Sequence, residues 1–588
     1  MQRLDTSPRR RLPTRIAEWA FAALILPVLL LAGACSTAPS APTDPAASPP
    51  SSEETAAESA AENPQERSFT ILSINDVYRI TGLYDGSRGG PARVRTLRRQ
   101  LEADHPDLLV FHAGDFLYPS LLSRLYHGEQ MVDVLNLLDG DAQAFDPHFF
   151  ITFGNHELDA AGDEGATQLD QRLAQSQFRW ITSNLHFQEG GKDSPEIADP
   201  RLTDHVLTEA GGVRVGIFAV TLDNQQPSYV RAIDDPIETA RRYTALLRGR
   251  GAEVVIGLTH LELEEDLLLL ETLREDGPDL ILGGHEHDRQ RQQAGGRWVF
   301  KADADAVSAV VATLTVGPEG GVTVDQRFED LMGDEPPPDP LVSQHADAWI
   351  RRHEQEFCTA AGLPSGCLGR TLGTTQTRLV GEELAIRSRE TSLGNWVADQ
   401  LRAELQSEGA PDQGAQVAVI NSGGLRLNRD LPAGSPVSRR DLEELFAFPN
   451  PTVLLQIDVK TLEKMLQRSV EQRGEGAWLQ VSGLAFRYDP DRQRVLDLTL
   501  LAPEGPRPLE PGEVLRVATV NFLADPAIGD QDGYTMLGLH QRLARGGSLE
   551  KRALKALQAA GTEGIAPTVE GRICAVDAPG PCLAVASP

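Results

Sequence analysis

Between residues 69 and 283 the chain repeats one pattern six times: a short apolar run, a polar or glycine-containing break, then a longer stretch of mixed, helix-like composition. The runs are FTILSI (69–74), DLLVF (107–111), FFITF (149–153), VRVGIFAV (213–220), EVVIGL (253–258) and DLILG (279–283). Runs of about four to eight apolar residues that alternate with helical segments predict strands buried on both faces of an α/β layered domain. The periodicity leaves open how the sheet is wound.

The breaks behind the runs narrow the chemistry. They read Asn75-Asp76-Val77-Tyr78, His112-Ala113-Gly114-Asp115, Gly154-Asn155-His156-Glu157, Thr259-His260 and Gly284-His285-Glu286-His287. Five of the six runs therefore lead into Asp, Asn or His at their carboxyl ends, where α/β sheets place their ligand sites. Singly, an Asp after a strand caps the next helix and a His bonds locally. Together, carboxylates and imidazoles at successive strand ends suit borderline divalent metals such as Mn, Zn, Fe or Co.

The formal charge of the 588 residues is −30. That excludes a nucleic-acid surface, which needs Lys and Arg clusters, and it requires a local device such as metal ions or focused arginines to hold an anionic substrate. The length predicts more than one domain. Ahead of the first run, Arg3, Arg9, Arg10, Arg11 and Arg15 precede the apolar stretch 20–34 and Cys35. A basic start, a short apolar segment and small residues describe an export signal over 1–34, shorter than the roughly 20 residues of a membrane span. Ala32-Gly33-Ala34-Cys35 resembles a bacterial lipobox, although Ala32 stands where Leu is commoner. The alternative is an ordinary cleaved signal with an incidental Cys. Residues 35–67, rich in Ser, Ala, Pro, Thr and Glu, predict a disordered tether, so that the membrane would be met through a lipid on Cys35 only. In an exported protein, Cys358 with Cys367 and Cys574 with Cys582 predict two local disulfides; neither pair has the C-x-x-C spacing of a zinc site.

The set D-x-Y, G-D, G-N-H-E, T-H and G-H-x-H resembles the calcineurin-like metallophosphoesterases. The longer Gly154-Asn155-His156-Glu157-Leu158-Asp159, with Gly89-Gly90-Pro91-Ala92-Arg93, resembles their 5′-nucleotidase branch. The resemblance implies a four-layered β-sandwich flanked by helices over 68–335. It implies two divalent metal ions (Mn, Zn, Co or Fe), one held by Asp76 and His287, the other by Asn155, His260 and His285, with Asp115 between them. His156, oriented by Asp159, would stabilise the transition state or the leaving oxygen. One position departs from the family, which has Asp-x-His where this chain has Asp76-Val77-Tyr78. Tyr78 leaves the first metal a ligand short, ligates it directly and selects iron, or weakens the site. Gly114-Asp115-Phe116-Leu117-Tyr118 is similar to a purple acid phosphatase motif, but the rest of the chain is not, and Tyr118 is expected to pack in the core.

The proline-rich 333–340 marks a break, with a linker helix expected over 336–364, a second domain over 365–575 and a tail over 576–588. Arg387-Ser388-Arg389, Asn421-Ser422-Gly423-Gly424-Leu425-Arg426, Phe448-Pro449-Asn450, Asn521-Phe522 and Asp532-Gly533-Tyr534 resemble the motifs of the 5′-nucleotidase C-terminal domain, a mixed α/β substrate-binding domain. By that resemblance Arg387, Arg426 and Arg389 hold phosphate, with Asn421, Gly423 and Gly424 shaping the loop. Phe448 and Phe522 enclose a base, Asp532 contacts polar groups near it, and Asn450, beside Phe448, belongs to the same substrate-binding set. Residues 524–531 are longer than the family's link, which bears on the base side. The whole implies an exported two-metal phosphohydrolase that releases phosphate from nucleotides. Relatives with similar motifs cleave 2′,3′-cyclic nucleotides or UDP-sugars, and a ligand-binding lipoprotein with a decayed metal site is the reading from another class.

Overall fold

Each of the six apolar runs forms a strand: Arg67–Ile74, Leu109–His112, Phe149–Thr152, Val213–Thr221, Val254–His260 and Leu280–Gly283. They do not share a sheet. The first three pair in parallel within a seven-stranded sheet and the last three within a six-stranded one. Antiparallel strands Ser308–Val316 and Val322–Asp330 extend the first sheet from Arg67–Ile74, and Arg297–Lys301 with Gln290–Ala294 extends the second from Leu280–Gly283.

The computed structural model describes residues 66–84, 86–188, 197–223, 226–406, 413–448, 450–525, 533–580 and 582–584. The signal 1–34, Cys35, the tether up to residue 65 and Asp532 lie outside the described residues.

The two-sided burial expected of the runs is realised by stacking the sheets. Phe69, Ile71, Leu109 and Phe111 meet Val215, Ile217, Val254 and Ile256 in the core between them. The alternate residues point outward, as the pleat requires. Leu72, Ile74 and Val110 pack on helices Pro91–Asp104, Glu129–Leu135 and Gly162–Gln175 through Val94, Val132 and Leu169. Phe218, Val220 and Val255 pack on Pro236–Gly249 and Leu263–Leu273 through Leu247 and Leu270. The order helix, sheet, sheet, helix makes four layers. Each fully buried Leu, Ile or Phe contributes about 1.5–3 kcal/mol of transfer free energy, so the strand ends that lead into Asp76, Asp115, Asn155, His260 and His285 stand on a rigid base.

The linking helix is Pro340–Ala360, capped by Asp339, whose carboxylate accepts from the N–H of Leu341 at 2.9 Å. Its Val342, Ala346 and Trp349 join the first domain's outer core, and Trp349 Nε1 donates to Asp133 at 2.7 Å. Cys358, near its end, is bonded to Cys367. Beyond it a five-stranded sheet, ordered Leu479–Ser482, Val417–Asn421, Val514–Val520, Pro451–Asp458 and Gln541–Ser548, shares one core with helices Ser392–Glu404, Val459–Glu471 and Leu549–Ala560. A four-stranded sheet runs Gly505–Pro508, Arg494–Ala502, Leu484–Asp489, Ile573–Ala575, and Cys574 is bonded to Cys582. Among the described residues no helix is long and apolar enough to cross a membrane.

Candidate metal centre and substrate cleft

The loops after the strands turn too sharply for ordinary backbone. Asp76, Asp115, His285 and His287 have φ of 52°, 60°, 95° and 62°, a region that costs a non-glycine residue about 1–3 kcal/mol and clusters at functional sites. Side chains fix these turns. Glu157 accepts from the N–H groups of Asp115 (2.8 Å), Phe116 (2.8 Å), Leu117 (3.0 Å) and Gly154 (2.6 Å), tying the G-D loop to the G-N-H-E loop. Asp305 accepts from the N–H of Tyr78 at 2.9 Å and Arg79 at 3.0 Å, and its own N–H donates to the carbonyl of Asp76 at 2.8 Å. Two glycines are required by contact. A Cβ on Gly154 would fall 2.1 Å from Asp115 Oδ1, and one on Gly284 2.5 Å from the carbonyl of Ala113.

Oxygen and nitrogen atoms able to ligate a metal converge as a result. Asp76, Asp115 and His260 each offer an atom within 4.8 Å of the others, and all three residues are buried. His260 directs Nδ1 to the carbonyl of Ala113 at 2.7 Å and Nε2 to Asp115 Oδ2 at 3.3 Å. His287 Nε2 lies 3.3 Å from Asp76 Oδ1. Tyr78 completes this group: its hydroxyl is 3.2 Å from Asp76 Oδ1, 3.1 Å from Asp115 Oδ2 and 2.9 Å from His287 Nε2. The His285 ring lies edge-on to that of His260 at 5.3 Å, and Asn155 Oδ1 is buried with no hydrogen-bond partner among the described residues.

The electrostatics describe a site that demands positive charge. Burial disfavours ionised carboxyls, yet the neighbouring histidines hold Asp76 and Asp115 well below the usual carboxylate range. Reciprocally, burial opposes a charged imidazole, but Asp115 raises His260 to about 10, and Glu383 with Asp76 raises His287 to about 9. Protons on these two histidines do what cations would do, and metal binding would release them. Burial and the charge of His260 push His285 down to about 3, which keeps it neutral, the form that ligates. Hard carboxylate and phenol oxygens with imidazole nitrogens, spaced about 3 Å apart as neighbouring donors on one ion are, together with the unpartnered Asn155 oxygen, fit divalent cations.

His156 sits at the rim. Its N–H donates to Asp115 Oδ1 at 2.8 Å, and its Nδ1 lies 2.9 Å from Asp159 Oδ2. Burial lowers its ring and the charges of Asp159 and Asp115 raise it, with a net rise. Opposite stands the second domain. Phe448 faces the His156 ring at 6.4 Å, and the guanidinium of Arg426 lies 5.6 Å from the Phe448 ring and 5.7 Å from that of Tyr78. Arg387, nearly buried, pairs with Glu383 one helical turn before it. Asn421, Gly424, Phe448 and Asn450 line one pocket with Phe446 and Glu550. Gly423 donates its N–H to Gly476 at 2.8 Å.

The structure does not bring every residue of the sequence-derived set together. Arg389 is exposed and extended just past the helix Glu383–Ser388; its N–H donates to the carbonyl of Ala385 at 3.2 Å and its carbonyl accepts from Gln480 Nε2 at 2.7 Å. Arg387 lies in the last turn of the helix and pairs with Glu383, whereas the chain leaves the helix before Arg389, whose side chain goes to solvent. Phe522 is half-buried against the second domain's core, and no ring contact joins it to Phe448 among the described residues. Tyr118 packs beside the first domain's core, its hydroxyl 3.2 Å from His127 and from Gln168, as expected of a packing residue.

Three contributors were not in the sequence-derived set. Glu157 carried a signal, since it stands inside G-N-H-E. Asp305 carried none. Glu383 carried a faint one, its i, i+4 spacing to Arg387; it bonds His287 Nδ1 at 2.8 Å, and the charges of Arg387 and His287 overcome burial to hold its carboxyl far below the usual range.

Residues 69–289 match the calcineurin-like phosphoesterase family and residues 371–538 the 5′-nucleotidase C-terminal domain. The chain is 26% identical to a 5′-nucleotidase of Mus musculus, over 80% of this chain and 84% of that one. It is 27% identical to a snake venom 5′-nucleotidase of Naja atra, over 80% and 91%. Among solved structures it is similar to a 5′-nucleotidase precursor from Thermus thermophilus, with a TM-score of 0.70 at 23% identity, covering 87% of this chain and all of that one. A sulfate thiohydrolase from Thermus thermophilus shares the fold at a TM-score of 0.64 and 16% identity, over 87% and 97%. At these identities the structural likenesses establish the fold alone.

Proposed function

Because the chain belongs to the calcineurin-like phosphoesterases that carry a 5′-nucleotidase C-terminal domain, and is thereby a phosphoric ester hydrolase, we propose that it releases phosphate from nucleotides with two divalent cations. Asp76, Tyr78, Asp115 and His287 would hold one ion, and Asp115, Asn155, His260 and His285 the other. The ion is Mn, Zn, Co or Fe, the metals this donor set suits. When bound, such ions supply charge neutralisation at the phosphoryl group and an acidified water.

The observation that carries this reading is the juxtaposition across one cleft of the Asp76–Asp115–His260–His287 cluster and the Arg387–Arg426 pair, with the Glu383 carboxylate touching both. The chain's own residues divide the work. Arg387 and Arg426 hold the phosphate, since guanidinium forks match its oxygens. His156, steadied by Asp159, faces the transferring group and stabilises negative charge on it or on the leaving oxygen. A water oxygen bonds to phosphorus, the bond from phosphorus to the nucleoside oxygen breaks, and that oxygen leaves with a proton. Phe448 stacks on the base, and Asn421, Gly423, Gly424, Asn450, Phe522 and Asp532 complete the nucleoside side.

The basic and apolar 1–34 and Cys35 support export with a lipid on Cys35 and residues 36–67 as tether. The break at 336–364 divides a catalytic domain, 68–335, from a substrate-binding domain, 365–575. The test is phosphate release by residues 68–588, stripped of metal and reloaded with Mn, Zn, Co or Fe, from AMP, UMP, ADP, a 2′,3′-cyclic nucleotide, UDP-glucose and an aryl phosphate. Metal-dependent release from the 5′-nucleotides, in preference to the rest, is expected. Release from none of them with two ions bound overturns the substrate, and failure to bind two ions overturns the mechanism.

A further inference from the structure

Glu383 is the first residue of the helix Glu383–Ser388, and its carboxylate is a point where the two sides of the cleft touch. Oε1 lies 2.8 Å from Nδ1 of His287. The same oxygen pairs with the Arg387 guanidinium and lies 3.7 Å from Arg426 Nη1. Oε2 accepts from Nδ2 of Asn428 at 2.9 Å. The side chain is 17% exposed, so these contacts operate where water screens them weakly.

A histidine that donates Nδ1–H to a carboxylate is held in one tautomer and one orientation, with the Nε2 lone pair free to ligate. For His287 that nitrogen faces Tyr78 and Asp76, at 2.9 and 3.3 Å. The carboxylate that orients it belongs to the helix that carries Arg387, more than 90 residues downstream of His287 and beyond the linking helix. One negative charge also stands between two guanidiniums.

We propose that Glu383 is a positioning residue with two effects: it makes the cation seat of Asp76 and His287 depend on the docked second domain, and it tempers the Arg387–Arg426 pair so that phosphate is released after reaction. This rests on the reading of Asp76 and His287 as metal ligands and of the arginines as phosphate ligands. The two contacts can be separated chemically. Gln at 383 keeps an oxygen for His287 Nδ1–H and removes the charge beside the arginines. Its amide group would face Asn428, whose Oδ1 is buried without a hydrogen-bond partner among the described residues and can turn over to accept.

The experiment uses the full chain as wild type, E383Q and E383A, stripped of metal and titrated with Mn²⁺ against a chelating dye. Inhibition of aryl phosphate hydrolysis by inorganic phosphate is measured separately at saturating Mn²⁺. E383A is expected to loosen one of the two ions by about 10–100-fold, the usual cost of losing an outer partner of a metal-bound histidine, and to leave the other unchanged. E383Q should restore that affinity to within a few fold of wild type, while inorganic phosphate inhibits it at several-fold lower concentration. Should E383A fail to fold, E383D replaces it, the shorter carboxylate keeping the charge and losing the reach to His287. Equal ion affinities in wild type and E383A, equal losses in E383A and E383Q, or unchanged or weaker phosphate inhibition in E383Q would overturn the proposal. A wild type that binds two ions and hydrolyses the ester while the variants match it removes only the role of Glu383. A wild type that binds no pair of ions removes the metal reading and this proposal with it.

Discussion

The hydroxyl of Tyr78 lies 2.9 Å from Nε2 of His287, and the same oxygen is within 3.2 Å of both Asp76 and Asp115. A phenol has one proton and cannot satisfy two carboxylates and an imidazole at once. A cation among the four atoms can. If Tyr78 ligates, loading the stripped protein with iron in air gives a visible phenolate-to-iron absorption band. Tyr78→Phe and Tyr78→His abolish the band, and Tyr118→Phe keeps it. Iron binding without a band, or a band that survives Tyr78→Phe, would show that Tyr78 is not a ligand.

His156 is held by Asp159 at 2.9 Å and faces the cleft. Changing it to Ala should lower turnover about 10²-fold or more, with smaller change in KM, because it acts on charge that develops only in the transition state. Steady-state kinetics on the best nucleotide check this, and an unchanged kcat would take His156 out of the mechanism.

Arg426 is enclosed by the rings of Tyr78 and Phe448. A charged hydrogen bond to phosphate contributes about 1.5–3 kcal/mol, so Arg426→Ala should raise KM for a nucleotide about 10–100-fold. Two ions should still bind, as a Mn²⁺ titration would report. Loss of an ion instead would mean that Arg426 supports the metal seat.

His353 gives the linking helix a pH dependence. It is 2% exposed, packed against Tyr126 and Phe357, and its Nδ1 has no hydrogen-bond partner among the described residues. Burial, with the charges of Arg440 and Arg124, pushes it down from 6.5 to about 4. Between those values the unfolded chain takes up a proton that the native state refuses, so this group's contribution to stability falls as pH drops through the window and is constant above it. The loss is at most about 3 kcal/mol. Urea unfolding of wild type against His353→Gln at neutral pH and near the bottom of the window measures it; parallel pH dependences would contradict the assignment.

The Cys358–Cys367 bond closes a loop of sequence separation 9 at the end of that helix. By loop entropy, replacing both cysteines with serine should cost about 2–3 kcal/mol. An unchanged midpoint of thermal unfolding would show that the loop is already ordered without the bond.

Much of the site could be read in the sequence because its parts are local. Asp76, Asp115, Asn155, His260, His285 and His287 each come just after a run whose burial marks it as a strand, and chain connectivity alone places them at the strands' carboxyl ends. The two-sheet arrangement was legible only through the family resemblance, which implied a four-layered β-sandwich, and not in the runs themselves. FTILSI and VRVGIFAV have the same apolar character, and nothing in either says which neighbour it will hydrogen-bond. Arg387 and Arg389 look equivalent in the motif Arg387-Ser388-Arg389; the helix end at Ser388 leaves the first paired with Glu383 and the second in solvent.

The sequence by itself determined the strands, the ligand types at their ends, the acidic charge that calls for cations or arginines, and the pairing of neighbouring cysteines. These depend on residue identity over a few positions. Only the tertiary structure decided that Tyr78 shares a space with Asp76, Asp115 and His287, that Asp305 holds the turn beneath it, and that Glu383 reaches His287 from another domain. Apart from Tyr78 with Asp76, such contacts join residues tens to hundreds of positions apart. They exist because the two sheets, the linking helix and the second domain are packed against one another, and no local pattern carries that information.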